Sequence, residues 1–148
     1  VRRFAALLLL CACQARRPGA GGVELVPAPA AADVASWVRA SAEPLRARGR
    51  VVLVYEGASW CAPCRAFHDA AAAGALDAAL PGVTLLEFDA DRDGERLASA
   101  GYVSNLIPLF ATSGADGRFS GSMIEGGISG SGAVDELLPR LQALIAGR

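Results

Sequence analysis

Apolar and polar positions divide this chain into helical stripes, buried runs and breaks. Behind Asp33, a good helix-capping residue, Val34, Trp37, Val38 and Leu45 recur at roughly helical spacing. They predict a first helix that Pro44 kinks or ends. Arg50 to Tyr55 is a strand with a continuous apolar centre, and residues 61 to about 73 read as a second helix. A short alanine-rich continuation runs from Gly74 to Leu80, and Pro81-Gly82 marks a turn. Val83 to Phe88 predicts the next strand, residues 89–93 a loop, and residues 95–100 a short helix closed by Gly101. Leu109 to Thr112 and Phe119 to Ile124 are two strands whose connection contains Asp116-Gly117, a hairpin signal. Beyond Ser131, a candidate cap, Val134, Leu137, Leu138, Leu141, Leu144 and Ile145 line one face of a last helix, which Pro139 interrupts. The order of elements predicts an α/β domain: a mixed central sheet with helices on both faces.

The ends of the chain behave differently. Arg2-Arg3 precede a nine-residue apolar run from Phe4 to Ala12. A bilayer span needs about 20 apolar residues, so the run fits a secretory signal better than a membrane helix. Leu10-Cys11-Ala12-Cys13 resembles the lipobox of bacterial lipoproteins, with Cys13 as the lipidated residue because small Ala12 precedes it. The alternative is an ordinary signal peptide with incidental cysteines. Residues 14–32 are rich in Pro, Gly, Ala and Arg without apolar periodicity. The expected organisation is a signal peptide over 1–12, a flexible tether over 13–32 and one domain over 33–148, an irregular strand at residues 23–26 being the alternative within the tether.

Composition narrows the chemistry. The formal net charge of −1 suggests neither a nucleic-acid partner nor attraction to an anionic membrane surface. All 14 cationic side chains are arginine, which excludes mechanisms that need a lysine. Signal cleavage before Cys13 would leave Cys13, Cys61 and Cys64, so an exported domain has one free pair. That pair is more reactive than structural in such a setting.

The segment Trp60-Cys61-Ala62-Pro63-Cys64 follows the strand and opens a helix. Cys61 falls at the helix N-terminus, where unsatisfied N–H groups and the helix dipole favour a thiolate. Cys64 lies one turn on, within reach of a small-ring disulfide, and Pro63 falls in the first turn, which needs no donor from its nitrogen. A zinc site would need four N/S ligands, and His68 is the sole histidine beside these thiols, so neither a metal nor another cofactor is expected.

With Ile107-Pro108 before the hairpin and the amphipathic last helix, these residues resemble the thioredoxin superfamily over about Asp33 to Ile145. The local pattern, including Arg65-Ala66-Phe67-His68, is similar to the thioredoxin-like domains of periplasmic thiol–disulfide reductases. The resemblance implies a thioredoxin-like fold and disulfide exchange with protein substrates. Cys61 would be the attacking thiolate and Cys64 the resolving thiol. Pro108 would be the family's cis-proline, against the alternative of an ordinary trans-proline at a strand start. Trp60 would shield the active surface or serve as a core aromatic. The Ala62-Pro63 dipeptide lacks the histidine of the strongest oxidants, which points to a reductant or electron relay supplied by a membrane or periplasmic thiol donor.

The sequence also departs from that family. Its buried aspartate, six residues before the first cysteine, is replaced by Tyr55. Glu56 should face the other side of the sheet. Glu87 is a substitute carboxylate or simply a strand-surface residue. His68 reads as a solvated helix residue, since side chains lean toward the helix start and Cys61 is two turns away. The segment 103–108 is about one residue longer than usual. The rival class is a non-catalytic binding module of the same fold, a metal carrier or assembly scaffold.

Overall fold

A computed structural model describes residues 21–148. The expected signal peptide and the lipidation residue Cys13 lie outside these residues. Five strands and four helices follow in the order β1 (Glu24–Pro27), α1 (Val34–Ala47), β2 (Val51–Gly57), α2 (Ala62–Ala72), β3 (Val83–Asp89), α3 (Ala90–Ser99), β4 (Leu109–Ser113), β5 (Phe119–Glu125) and α4 (Ala133–Ala146). The sheet order is β1-β3-β2-β4-β5, with β1, β3 and β2 parallel and β4 and β5 antiparallel. The expected mixed sheet with helices on both faces is therefore present.

Side-chain alternation along β2 divides the core. Val52 and Val54 pack with Val38, Leu86, Phe88 and Leu97 on the face covered by α1 and α3. Leu53 and Tyr55 pack with Phe67, Leu85, Phe110 and Leu137 on the face covered by α2 and α4. Each face buries its own apolar set, so the strand register fixes which side chains approach α2.

The structure corrects several boundaries. The expected tether is shortened, because Glu24–Pro27 pairs with β3, Glu24 opposite Thr84 and Leu25 opposite Leu85. The alternative of a strand at residues 23–26 is the one the structure matches, displaced by one residue, and β3 supplies its partners. Helix α3 starts at Ala90, within the expected loop, because the Asp89 carboxylate accepts from the Asp91 and Arg92 N–H groups. Pro44 and Pro139 both lie inside continuous helices, and α4 begins after Gly132 with no side-chain cap from Ser131. Residues 73–80 form turns instead of prolonging α2. No described helix is long and apolar enough to cross a membrane.

Candidate active site

Strand β2 ends at Gly57, and a tight turn carries the chain into α2 with the Cys61 N–H donating to Ala58 O at 3.1 Å. Cys61 is the N-cap of α2, with φ −78° and ψ 111°, and its Sγ accepts from the Cys64 N–H at 3.3 Å. Sulfur thus occupies the place that a Ser or Asp oxygen takes at other helix starts. In the dithiol state the same N–H and the helix dipole stabilise a Cys61 thiolate. Pro63 lies in the first turn, as its missing donor requires.

Cys61 and Cys64 are joined by a disulfide. Both sulfur residues are well covered, Cys61 at 6% exposure and Cys64 at 2%, and with Ala58 they form a small cluster against Ala90 and Ile107. The Ile107 carbonyl oxygen lies 3.7 Å from Cys61 Sγ. The Ile107–Pro108 peptide bond is cis and Pro108 is buried.

Trp60 is no core aromatic. It is 64% exposed, and its indole N–H donates to both Asp91 carboxylate oxygens, at 2.9 and 3.2 Å. Asp91 stands in the first turn of α3, so the indole is tied across the mouth of the site to another element. Val103, Leu106 and Ile128 are also exposed. The loop of residues 103–108 is held by Ser104 Oγ donating to Glu56 at 3.2 Å and Asn105 N–H donating to Glu125 at 2.9 Å.

Behind Cys64 the departures from the family pattern become concrete. Tyr55 is buried, and its hydroxyl donates to the Cys64 carbonyl at 3.3 Å. Burial, with the Glu87 charge nearby, pushes its phenol further up in pKa, so Tyr55 remains a donor and cannot take a proton as a carboxylate would. Gly57 makes room for it: a Cβ there would stand 2.5 Å from the Tyr55 hydroxyl and 3.3 Å from Cys64 Cβ. Glu56 points to the opposite face as expected. Burial raises its carboxyl pKa, Ser104 opposes that, and Asp93 and Asp89 add to it.

Glu87 sits opposite Tyr55 in the parallel β2–β3 register and therefore shares its face. Its Oε1 is 3.2 Å from His68 Nε2. His68 is thus partnered and only partly exposed, which corrects the expectation of a solvated residue. As its spacing of four residues from Cys64 implies, it shares a helical face with that cysteine. Cys64, Tyr55, Gly57, His68 and Glu87 all line one cavity of about 390 Å³. Sequence reasoning missed Gly57 and Asp91, whose roles depend on side chains brought close only by folding. Among the described residues, no group of three His, Cys, Asp or Glu side chains is placed to hold a metal ion.

No protein-family model matches the chain, and no curated protein does. Solved structures do. The disulphide isomerase from Xylella fastidiosa Temecula1 superposes with a TM-score of 0.55 at 21% identity, covering 79% of this chain and 97% of that one. A structure concerning the thiol resolving mechanism of yeast mitochondrial 1-Cys peroxiredoxin via glutathione/thioredoxin systems gives 0.50 at 15% identity, over 85% and 95%. Fasciola hepatica thioredoxin gives 0.46 at 25% identity, over 73% and 91%. The first two matches, the five-stranded mixed sheet and the Cys61–Cys64 disulfide at the head of α2 together show that this chain has the thioredoxin-like fold.

Proposed function

We propose that the chain is a thiol–disulfide oxidoreductase of the bacterial cell envelope. In this proposal it is held to a membrane by a lipid on Cys13 and acts as a reductant or electron relay toward protein disulfides. The observation that carries the chemistry is the Cys61–Cys64 disulfide at the start of α2, its Cys61 sulfur held by the Cys64 N–H. In the reduced protein, the Cys61 thiolate attacks a substrate disulfide and one substrate thiolate leaves. Cys64, deprotonated, then attacks the Cys61 sulfur of the mixed disulfide, and the second substrate thiolate departs and takes a proton. The substrate gains two electrons and the pair returns to the disulfide form, to be reduced again by a membrane or periplasmic thiol donor.

Two sequence features support the finer assignment. The Arg-Arg, apolar and Leu-Cys-Ala-Cys succession over residues 2–13 supports export and a lipid anchor. The Ala62-Pro63 dipeptide supports the reducing direction, as no histidine lies between the cysteines to hold the thiolate further.

Insulin reduction with a chemical reductant as electron source tests the activity. Wild type is expected to be active, Cys61→Ser inactive, and Cys64→Ser trapped as mixed disulfides. Full activity of Cys61→Ser overturns the assignment of the nucleophile. A redox titration of the pair tests the direction: a potential near about −120 mV, that of a strong oxidant, refutes the reductant reading.

A further inference from the structure

The resolving step needs a base for Cys64, and Tyr55 stands where an acid would serve. An ordinary thiol, with a pKa of about 8.5, is only ~3% thiolate at pH 7, so an unassisted Cys64 would be slow to resolve a mixed disulfide. Tyr55 supplies a donor, which Cys64 does not need. A carboxylate on the Tyr55 face is Glu87, one strand away in register.

Three observations place Glu87 in a working position. It shares the cavity with Cys64, Tyr55 and Gly57, so solvent in that space reaches both the thiol residue and the carboxylate. A volume of about 390 Å³ is ample for water, which takes about 30 Å³ per molecule in the liquid. Glu87 is held from the outer side by His68, Oε1 to Nε2 at 3.2 Å, the histidine being the more exposed of the two. Finally, Gly57 keeps the inner wall open, since any side chain there would collide with Tyr55 and Cys64 and narrow the space between them.

We infer that Glu87, held by His68, takes the Cys64 proton through cavity water during resolution of the mixed disulfide. The inference rests on the oxidoreductase reading. Cys64 S–H gives its proton to water and water gives one to the Glu87 carboxylate. The Cys64 thiolate forms the bond to Cys61 Sγ as the Cys61–substrate S–S bond breaks, and its electron pair leaves on the substrate sulfur. Glu87 then passes the proton outward, past His68 to solvent, and no further oxidant or reductant is required. His68 acts as a positioning residue, fixing the carboxylate and linking it to the surface. Other charged or titratable groups around the cavity are Tyr55 from β2, Arg65 and Asp69 from α2, Asp89 at the end of β3 and Arg92 from α3. Asp69 Oδ1 lies 3.9 Å from His68 Nδ1, on the side away from Glu87.

Stopped-flow reaction of the reduced protein with 5,5′-dithiobis(2-nitrobenzoate) separates the two thiols. The first nitrothiobenzoate is released when Cys61 attacks, the second when Cys64 resolves the adduct. Glu87→Gln is expected to slow the second release about tenfold or more at pH 7 and leave the first unchanged. By pH 9.5 it should converge on wild type, because hydroxide then removes the thiol proton. His68→Gln should show a smaller slowing with the same convergence, and formate should accelerate the second release in Glu87→Ala. The exposed Glu95→Gln serves as the control. An unchanged second phase in Glu87→Gln, or a slowing that persists at pH 9.5, overturns the inference. Should Glu87→Gln not fold, His68→Gln decides by the same criteria. A wild type that shows no second release, or no insulin reduction, refutes the oxidoreductase reading itself, so the two failures are distinguishable.

Discussion

Gly57 is the position where a single methyl group tests the architecture behind the disulfide. Its Cβ in Gly57→Ala would stand 2.5 Å from the Tyr55 hydroxyl, 2.9 Å from Tyr55 Cζ and 3.3 Å from Cys64 Cβ. The Gly57 backbone does not have positive φ, so alanine meets no conformational penalty there. It should even gain about 0.4–1 kcal/mol from the stiffer unfolded chain. Against this, overpacking a full core costs about 1–3 kcal/mol. We expect a net loss of about 1–2 kcal/mol in the oxidised protein, read from urea unfolding with constant slope. Tyr55→Phe removes the atom in closest contact and the hydrogen bond to the Cys64 carbonyl, at a cost of about 1 kcal/mol. In that background Gly57→Ala should cost about 1 kcal/mol less than in wild type, because the phenyl edge is the softer obstacle. Equal costs in the two backgrounds, within about 0.5 kcal/mol, would refute the idea that Gly57 exists to admit the Tyr55 hydroxyl.

Three other predictions concern charge and address. Asp93 is buried and opposed by desolvation, yet bidentate bonds from Arg92, a bond from Arg96 and the Asp89 N–H hold its carboxyl down at about 2. Its contribution is present above the unfolded value of 3.8 and is lost as pH falls toward 2. Asp93→Asn should therefore cost about 2 kcal/mol at pH 7, shrinking between pH 4 and 2 in acid-unfolding curves, and a constant difference would contradict this. Glu56 is shifted the other way by burial, so its contribution is full below its unfolded value of 4.5 and declines as pH rises through the folded value. Glu56→Gln should gain stability relative to wild type as pH rises from 4 to 7, by thermal melts at both ends; a gain at pH 4 that vanishes at pH 7 would reverse the sign. Cys13→Ser, expressed as the full chain in a bacterial host, should move the protein from the membrane to the soluble fraction, and unchanged partitioning would remove the lipid anchor.

The sequence by itself determined the fold class and the reactive pair. Residues 51–55 and 83–88 are short runs rich in β-branched and aromatic side chains, bounded by Gly49 and Gly57 and by Pro81-Gly82, which favours buried strands over helices, and the stripe of α4 has one buried face. Cys61 and Cys64 are three residues apart at a helix start, so their proximity follows from local geometry and needs no distant partner. Where a partner was distant, the pattern left alternatives open. β1 exists because β3 has a free edge to pair with it, and α3 starts early because one aspartate turns back onto its own backbone. The surroundings of the disulfide came only from the tertiary structure. The Trp60–Asp91 tie, the Gly57 hollow for Tyr55 and the Glu87–His68 pair each join residues on different elements, or a side chain to the space a missing one leaves. Alternation along β2 and β3 left the pairing of Tyr55 and Glu87 open, and only the parallel register put them opposite each other. Short-range chemistry is written in spacing, whereas the proton path behind Cys64 depends on which strands are neighbours.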